Sequence, residues 1–515
     1  MIFLGRAALA LVSGALLSLA FPPTGLWPFV VALAPVVVLS VNSLRAGDAF
    51  WPGFFFALGF FTLHLLWLPQ SFAEASGGLF WLLYPPLLAV LGVFWGVVTF
   101  SARRLGGRGV GALWLLPALW VVMEWARTQG PFAFPWGVLG YGWVGTPLAQ
   151  AADVAGVYGL SLLTLAVVSL AVSPLVYHPY GRFTPRLAWF CGLLVVAAWL
   201  GYGTLRLRAF TPDAPLTAVL VQGSTDPYGR VVEPGGELGL YRRLTREALA
   251  DAAEPADLVI WPEGVALELI PYYGYDLTSP EAASDRREIQ RSAGGRPVIT
   301  GGGAIDGREV FSASNSVFGL QNGEVTGRFD KVYLVPFGEY FPLIQPLAPI
   351  YRIVFGWFGY PLLQSRPPGR VANPITLAGT SYAAYICYES VFPQIARTMV
   401  ARGARVLVNV SNDAWFGFGG GARQHFYMGT LRAIETRRYL LRGGNDGVTA
   451  AVDPLGRTIK ELARGERGAL TVRYGERSGL TPYVRFGDLL IVGLVLYTAV
   501  VVGVRRRLLG AAAFA

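Results

Sequence analysis

Three segments of this 515-residue chain end an apolar run on a residue that could serve acyl transfer. "IWPEG" closes on Glu263. "GRFDKVYLVPFGEY" carries Lys331, with Glu339 eight residues on, and "YICYES" closes on Cys387, followed by Tyr388 and Glu389. Each alone is ambiguous. A buried cysteine packs as a small hydrophobe as readily as it attacks a substrate, and a glutamate at a strand end is ordinarily solvated. Together they make a set. A thiol near its free pKa is mostly protonated at neutral pH and needs a base to become a nucleophile. A carboxylate serves where burial raises its pKa. An ammonium, with the backbone N–H after the nucleophile, answers the oxyanion of a tetrahedral intermediate. Glu263, Lys331 and Cys387 fill the roles of base, oxyanion partner and nucleophile without a histidine.

Lysine usage sharpens this reading. Lys331 and Lys460 are the two lysines in a chain that otherwise takes its positive charge from arginine. A compact ammonium that shifts its pKa readily suits catalysis where a guanidinium does not. Cys191 and Cys387 have no metal-ligand spacing, and His64, His178 and His425 are scattered. Neither a metal nor a cofactor is expected. Cys191 lies inside the apolar run "LAWFCGLLVVAAWLG", so no disulfide to Cys387 is expected either.

The elements that must position these residues lie between about 211 and 480. There "LTAVLVQG", "DLVIWPEG", "RPVITGGG", "NSVFGLQNGEVTGRFDK", "SYAAYICYES", "ARVLVNVSND" and "GVTAAVDPLG" read as strands bounded by turn residues. "GGELGLYRRLTREALADAAE" and "ARQHFYMGTLRAIETRRYLL" have helical period and charge. This is an α/β layered domain, whose sites collect at strand ends. Its 28 basic and 27 acidic residues nearly cancel, so the net charge of +10 belongs to the rest of the chain and gives no reason to expect nucleic acid. The stretch 340–369 is aromatic and apolar but too broken by proline and glycine to span a membrane. It reads as a loop at the membrane surface, with Trp357 and Tyr360 as interface anchors. "GFGGGARQHF" lacks the phosphate-loop lysine and reads as a lid or a turn, with His425 structural rather than a second base.

Outside that domain the chain is strongly apolar. Hydrophobic residues make up 53% and charged residues 14%, with a mean hydropathy of +0.47. An average soluble protein carries about 25% charged residues. A hydrocarbon core of about 30 Å takes roughly 20 apolar residues in a helix. Seven such stretches are expected before residue 210, near 6–22, 26–43, 50–69, 79–101, 111–127, 157–177 and 186–206, and an eighth near 486–504. The first runs through "FPPTG" into the second without a cleavage site, so it reads as a span and not a signal peptide. Arg6, Arg45, Arg103, Arg104, Arg108, Arg182, Arg186, Arg505, Arg506 and Arg507 fall on one side of alternate loops. Arg127, Arg206, Arg208 and Arg485 fall on the other. That asymmetry puts both termini in the cytoplasm and the central domain outside it. The expected division is thus 1–210, a seven-span domain; 211–480, the catalytic domain; and 481–515, the eighth span and tail. Glu124 and Arg127, one helical turn apart in the fifth span, are expected to pair.

The triad order, with "WPE", "DK" and "CYE" after successive strands, resembles the nitrilase (carbon–nitrogen hydrolase) superfamily, which implies an αββα sandwich. The flanking spans and the motifs "EWARTQGPFAFPWGVLGYG", "FDKVYLVPFGEY", "ICYES" and "NVSNDAWFG" narrow the resemblance to the apolipoprotein N-acyltransferases, over essentially the whole chain. That resemblance implies a two-step ping-pong reaction in the cytoplasmic (inner) membrane. Cys387 takes an acyl chain from a phospholipid, typically the sn-1 chain of phosphatidylethanolamine, as a thioester. The α-amine of the N-terminal diacylglyceryl-cysteine of an apolipoprotein then receives it as an amide. Glu263 would be the general base, and Lys331 would stabilise the oxyanion. Glu339 would fix Lys331 or tune Glu263. Tyr388 and Glu389 would support the site, Glu389 pointing the same way as Cys387 if the strand continues. Trp357, Tyr360, Trp415 and Trp136 are the expected lipid contacts, the last in a segment (127–145) expected to form an opposing wall. "GGNDGVTAAVD" departs from the family's more amide-rich sequence at Asp446. Nothing demands more than a monomer.

Two other readings compete. A membrane-tethered amidase would use the same triad and hand the acyl group to water, without need of the apolar 340–369 stretch. A transporter with an external sensing domain would place paired ionisable groups deep in several spans, where Glu124 and His64 stand almost alone.

Overall fold

The computed structural model describes residues 2–76, 78, 80–178, 185–226, 236–265, 280–304, 313–357, 365–417 and 419–513. Two compact units divide the chain: Met1–Ala209 with Phe486–Ala515, and Phe210–Arg485.

The first unit is helical. Each apolar stretch of the sequence forms helix: Ile2–Ser18, Leu33–Val41, Phe50–His64, Phe80–Gly106, Val110–Ala126, Ala152–Val172, Pro185–Arg208 and Leu489–Ala513. Among the described residues four helices are long and apolar enough to cross a membrane: Phe80–Gly106, Pro147–Leu175, Pro185–Arg208 and Leu489–Arg507. Phe3–Ser18, Trp27–Val41 and Val110–Ala126 are shorter. The sixth expected span begins earlier than expected, because its helix continues through a kink at Ala155 and Gly156. Where Ile2–Ser18 crosses Phe50–His64, a Cβ at Gly14 would fall 1.9 Å from the Phe56 carbonyl oxygen, and one at Gly59 1.9 Å from that of Leu11. Small residues let apolar helices approach backbone to backbone, as packing between membrane helices requires.

Glu124 and Arg127 are both buried and act on each other through charge, while each hydrogen-bonds to the segment that follows. Glu124 Oε1 accepts from the Leu139 N–H (2.9 Å) and from Trp120 Nε1 (3.0 Å). Arg127 Nη2 donates to the carbonyls of Trp136 (2.8 Å) and Phe134 (3.1 Å). These groups tie down the irregular segment that follows the helix.

The second unit is a two-sheet sandwich. The first sheet has the order β12-β1-β2-β3-β4-β5, from β1 (Leu216–Gln222), β2 (Leu258–Ile260), β3 (Val298–Ala304), β4 (Ser314–Gln321), β5 (Glu324–Asp330) and β12 (Gly468–Tyr474). The second has the order β11-β10-β9-β8-β7-β6, from β6 (Ile375–Leu377), β7 (Thr380–Ile386), β8 (Val406–Ser411), β9 (Leu440–Gly444), β10 (Thr449–Val452) and β11 (Thr458–Leu462). β1, β2 and β3 run parallel, as do β7, β8 and β9. Side chains alternate across a strand, and β1 shows the consequence. Ala218 and Leu220 join Ile260, Ile299, Ala384 and Val408 between the sheets. Val219 and Val221 join Val259 and Phe318 beneath the helices Gly236–Asp251 and Pro280–Ser292 through Leu240, Leu244 and Ile289. On the far side, the helices Pro393–Ala401 and Gly421–Thr436 cover the second sheet. Each fully buried Leu, Ile or Val contributes about 1.5–3 kcal/mol, so these two clusters hold the strands that carry the site.

"NSVFGLQNGEVTGRFDK" is a β4–β5 hairpin, turning at Asn322 and Gly323 with φ of 54° and 78°, as an Asn-Gly loop favours. Part of "ARQHFYMGTLRAIETRRYLL" is not helix: Thr436 ends the helix and β9 begins at Leu440. The broken stretch after 340 also differs from the expected loop, since Ile344–Gly356 is a helix that accommodates Pro349. Leu343, Ile350, Ile353 and Trp357 are exposed along it. Tyr360 lies outside the described residues.

Candidate active site

One end of the sandwich gathers the candidate residues, because the parallel strands deliver their carboxyl ends there. Glu263 follows β2 by three residues, Lys331 follows β5, Cys387 follows β7, and Asn412 and Asp413 follow β8. β4 enters from the same end with Asn315 paired to Gly303. The Glu263 turn sits hard against β3. A Cβ on Gly301 would lie 2.6 Å from Glu263 Cα and 2.8 Å from the Pro262 carbonyl oxygen, so only glycine fits.

Lys331 joins the two glutamates. Its Nζ lies 2.9 Å from the Glu339 carboxylate and 3.4 Å from Glu263 Oε1, and it is buried. The Asn315 amide donates to both carboxylates, at 2.8 Å to Glu263 and 2.7 Å to Glu339. Glu263 Oε2 accepts the Asn412 N–H at 3.0 Å, and Glu339 Oε2 accepts the Val335 N–H at 2.8 Å. Burial works against the Lys331 charge, but Glu339, Glu263 and Cys387 outweigh it and hold its pKa well above the ordinary lysine value. Burial likewise opposes the Glu339 charge, and there Lys331 and the Val335 and Asn315 donors win, holding the carboxyl low. The pair is therefore ionised at neutral pH. A fixed cation now stands beside Glu263.

Cys387 occupies a strained elbow. β7 ends at Ile386, and Cys387 adopts φ of +45° before a 3-10 turn over Cys387–Val391. For a residue with a side chain, this left-handed conformation costs of order 1–3 kcal/mol and persists only where the surroundings enforce it. Burial and the nearby Glu263 charge push the thiol pKa far up, with Lys331 and the neighbouring Ser411 hydroxyl pulling the other way. The sulfur is thus a thiol in the resting site. It needs a base at the moment of attack.

The chain turns after Ile386, so Glu389 does not share the direction of Cys387 as a continued strand would have it. Its fully buried carboxylate turns back to accept from the Ile386 N–H (2.9 Å), and from the N–H groups of Val332 (2.7 Å) and Tyr333 (3.1 Å). It laces the nucleophile's strand to the segment that carries Lys331. Burial raises its pKa to about 7 against those donors and Lys331. The Tyr388 ring packs edge-on to Phe392, itself stacked on Tyr333. Trp415 is exposed on the turn Asp413–Phe416. Trp136, in the helical unit, is buried and stacked on Phe134.

Behind Cys387 lies a buried polar network that the sequence alone did not assign. His425 Nε2 lies 2.9 Å from the Cys387 carbonyl oxygen, and Nδ1 lies 2.9 Å from Asp413 Oδ1. Asp413 accepts from Arg442 Nη2 (2.7 Å) and from the Ser411 hydroxyl (2.8 Å). Burial disfavours the Asp413 charge, but Arg442 and His425 hold its pKa well below the carboxylate range. Cys387, Asp413 and His425 bring potential metal ligands within 4.8 Å of one another. Those atoms are engaged by one another, by Cys387's own carbonyl and by the Arg442 guanidinium, whose charge opposes a second cation. The set reads as a hydrogen-bond network and not as a metal centre. Asp446 turns away to Arg464 and the Gly465 N–H, and Asn445 faces the site through Asn412.

Known proteins resemble this chain over most of its length. Residues 13–170 match the model of the apolipoprotein N-acyltransferase N-terminal domain, and residues 236–477 match that of carbon–nitrogen hydrolase. An apolipoprotein N-acyltransferase of Geobacter metallireducens is 32% identical over 513 residues, covering 97% of this chain and 95% of its own. The chain belongs to the apolipoprotein N-acyltransferase family. Another such protein, from Caulobacter vibrioides, is 31% identical, covering 96% of this chain and 93% of its own. An amidase from Nesterenkonia sp. aligns with 54% of this chain and 95% of its own, at 19% identity and a TM-score of 0.37. As a member of the family, the chain is an N-acyltransferase with a nitrilase-like catalytic domain. Its apolar helices fit a membrane protein.

Proposed function

We propose that this enzyme moves a fatty acyl chain from a phospholipid, probed most simply with phosphatidylethanolamine, through a thioester on Cys387 to the α-amine of the N-terminal diacylglyceryl-cysteine of apolipoproteins. The observation that carries the reading is the convergence of Glu263, Lys331 and the strained Cys387 at one end of the sandwich, in a chain whose relatives bear that activity in their name. Glu263 takes the thiol proton as sulfur attacks the ester carbonyl, and Lys331 faces the oxyanion that forms. Collapse breaks the ester C–O bond, and Glu263 returns the proton to the leaving lysophospholipid. In the second half the α-amine attacks the thioester and gives its proton to Glu263. The C–S bond breaks and the sulfur recovers a proton. Glu339 keeps Lys331 charged and in place throughout.

The substrate is amphiphilic, and the rest of the reading follows from that. Eight spans, counting the shorter apolar helices, hold the enzyme in the cytoplasmic membrane, with both termini in the cytoplasm and the catalytic unit outside. The exposed apolar row Leu343, Ile350, Ile353 and Trp357 lies on the membrane surface and admits acyl chains. Tyr360 and Trp415 are the remaining lipid contacts; Trp136, expected as another, is instead buried against Phe134 and Trp67. The enzyme acts as a monomer.

A lipopeptide with a diacylglyceryl-cysteine terminus, given to the purified enzyme with phosphatidylethanolamine, tests the assignment. Appearance of the N-acylated peptide and lysophospholipid in equal amounts is expected. Free fatty acid in place of the N-acyl peptide would make the enzyme a hydrolase instead.

A further inference from the structure

The Cys387 carbonyl, unlike its thiol, has no role in the chemistry above, yet a buried histidine is aimed at it. His425 Nε2 sits 2.9 Å from that oxygen and 2.8 Å from Ser390 Oγ. A carbonyl only accepts, so a hydrogen bond to it takes a hydrogen from Nε2, while Nδ1 meets the Asp413 carboxylate and the Arg442 guanidinium (3.1 Å). Both ring nitrogens are thus engaged by the surroundings of the elbow. Asp413 is fixed in turn by Arg442 and by its own N–H on the Asp446 carbonyl (3.0 Å). Arg442 is anchored on β9 by Asn409 Oδ1 and the Val448 carbonyl. All four side chains, Asp413, His425, Arg442 and Asn409, are buried. On the other side of the elbow, Glu389 holds the Ile386 N–H. The strained residue is thus gripped at the amide before it and at the carbonyl after it.

We propose that His425, locked by Asp413 and Arg442, is a positioning residue that holds Cys387 in its left-handed conformation, so that the thiol is presented to Glu263. The proposal rests on Cys387 being the acyl carrier. Without the grip, φ relaxes to the favoured negative range and the sulfur swings from its line of attack. Asp413 also accepts from the Ser411 hydroxyl, which lies beside the thiol.

The test is single-turnover acylation by phosphatidylethanolamine, read by intact mass across pH, for wild type, His425→Ala, His425→Gln and Ser390→Ala. His425→Ala should slow acylation about 10²-fold, the cost of a misplacement near 1 Å, with the midpoint of the pH profile unmoved. His425→Gln, whose amide can reach the same carbonyl, should recover most of the rate, and Ser390→Ala should match wild type. A wild-type rate in His425→Ala, a shifted pH midpoint, or an equal loss in Ser390→Ala would overturn the proposal. Should His425→Ala not fold, His425→Gln decides: an unmoved midpoint with most of the rate retained supports the grip, and an inert but folded variant refutes it. A wild-type enzyme that takes up no acyl chain overturns the reading of Cys387, and this proposal with it. Normal wild-type acylation with an equally fast His425→Ala overturns this proposal alone.

Discussion

Asn315 Nδ2 stands 2.8 Å from Glu263 Oε1, and the same nitrogen reaches Glu339 at 2.7 Å. One neutral amide thus sits between two carboxylates that share a single lysine. Replacing it with a third carboxylate sets like charges at hydrogen-bond distance, which shifts pKa values apart and moves protons onto the wrong groups. We expect Asn315→Asp to slow acylation by about 10²-fold or more, and Asn315→Ser, which keeps a hydroxyl donor, to lose much less. Equal losses in the two variants would show that the charge is irrelevant.

Gly301 offers a purely steric test. Alanine there would press on Glu263 Cα at 2.6 Å and on the Pro262 carbonyl oxygen at 2.8 Å, both backbone atoms that must move. Overpacking of this kind costs roughly 1–3 kcal/mol of stability. A displacement near 1 Å of the base should cost about 10²-fold in kcat, with KM for the phospholipid little changed. Wild-type kcat in a stably folded Gly301→Ala would mean that the position of Glu263 does not govern the rate.

Much of this arrangement was legible in the chain. β-branched runs ending in Glu263, Lys331 and Cys387 mark strands whose carboxyl ends share one edge, and the structure places them so. Two polar residues that complete the site were not. Asn315 opens a strand in "SASNSVF", where an amide looks like turn chemistry, and Arg442 sits inside a buried strand, where an arginine looks misplaced. Their partners lie far along the chain, and pairing across that distance leaves no local pattern. Glu389 was misjudged for a different reason, because strand alternation assumes a strand that the strained Cys387 ends. Three strands, β6, β11 and β12, carry no clear strand pattern in the sequence, because β6 has three residues and β11 and β12 lie at sheet edges with exposed residues.

The charge on Glu263 has two opposing effects that one substitution separates. It is the base, and it also pushes the Cys387 pKa upward together with burial. Glu263→Gln should therefore abolish acyl transfer while making the thiolate easier to form. Ultraviolet thiolate absorbance, titrated against a Cys387→Ser background, should show a lower midpoint in Glu263→Gln than in wild type. An unchanged or higher midpoint would remove the electrostatic coupling from the account.

Glu389 predicts a pH dependence of stability. Its folded pKa, raised by burial to about 7, lies above the ordinary 4.5. The folded state thus binds the extra proton between those values, and stability falls as pH rises through them. The contribution is complete below about 4.5 and lost above about 7. Glu389→Gln should flatten this part of the stability curve. It should also lower stability by about 1–3 kcal/mol, since an amide nitrogen must face a backbone N–H. Thermal denaturation across that range checks both, and a variant with the wild-type slope would contradict the assignment.

The central claim is that Cys387 carries the acyl chain, and intact-protein mass spectrometry reads it directly. Wild-type enzyme incubated with phosphatidylethanolamine and no acceptor should gain the mass of one fatty acyl chain, labile to hydroxylamine and absent from Cys387→Ala. An adduct of the same mass in Cys387→Ala, or lysophospholipid release with no adduct on wild type, would contradict it.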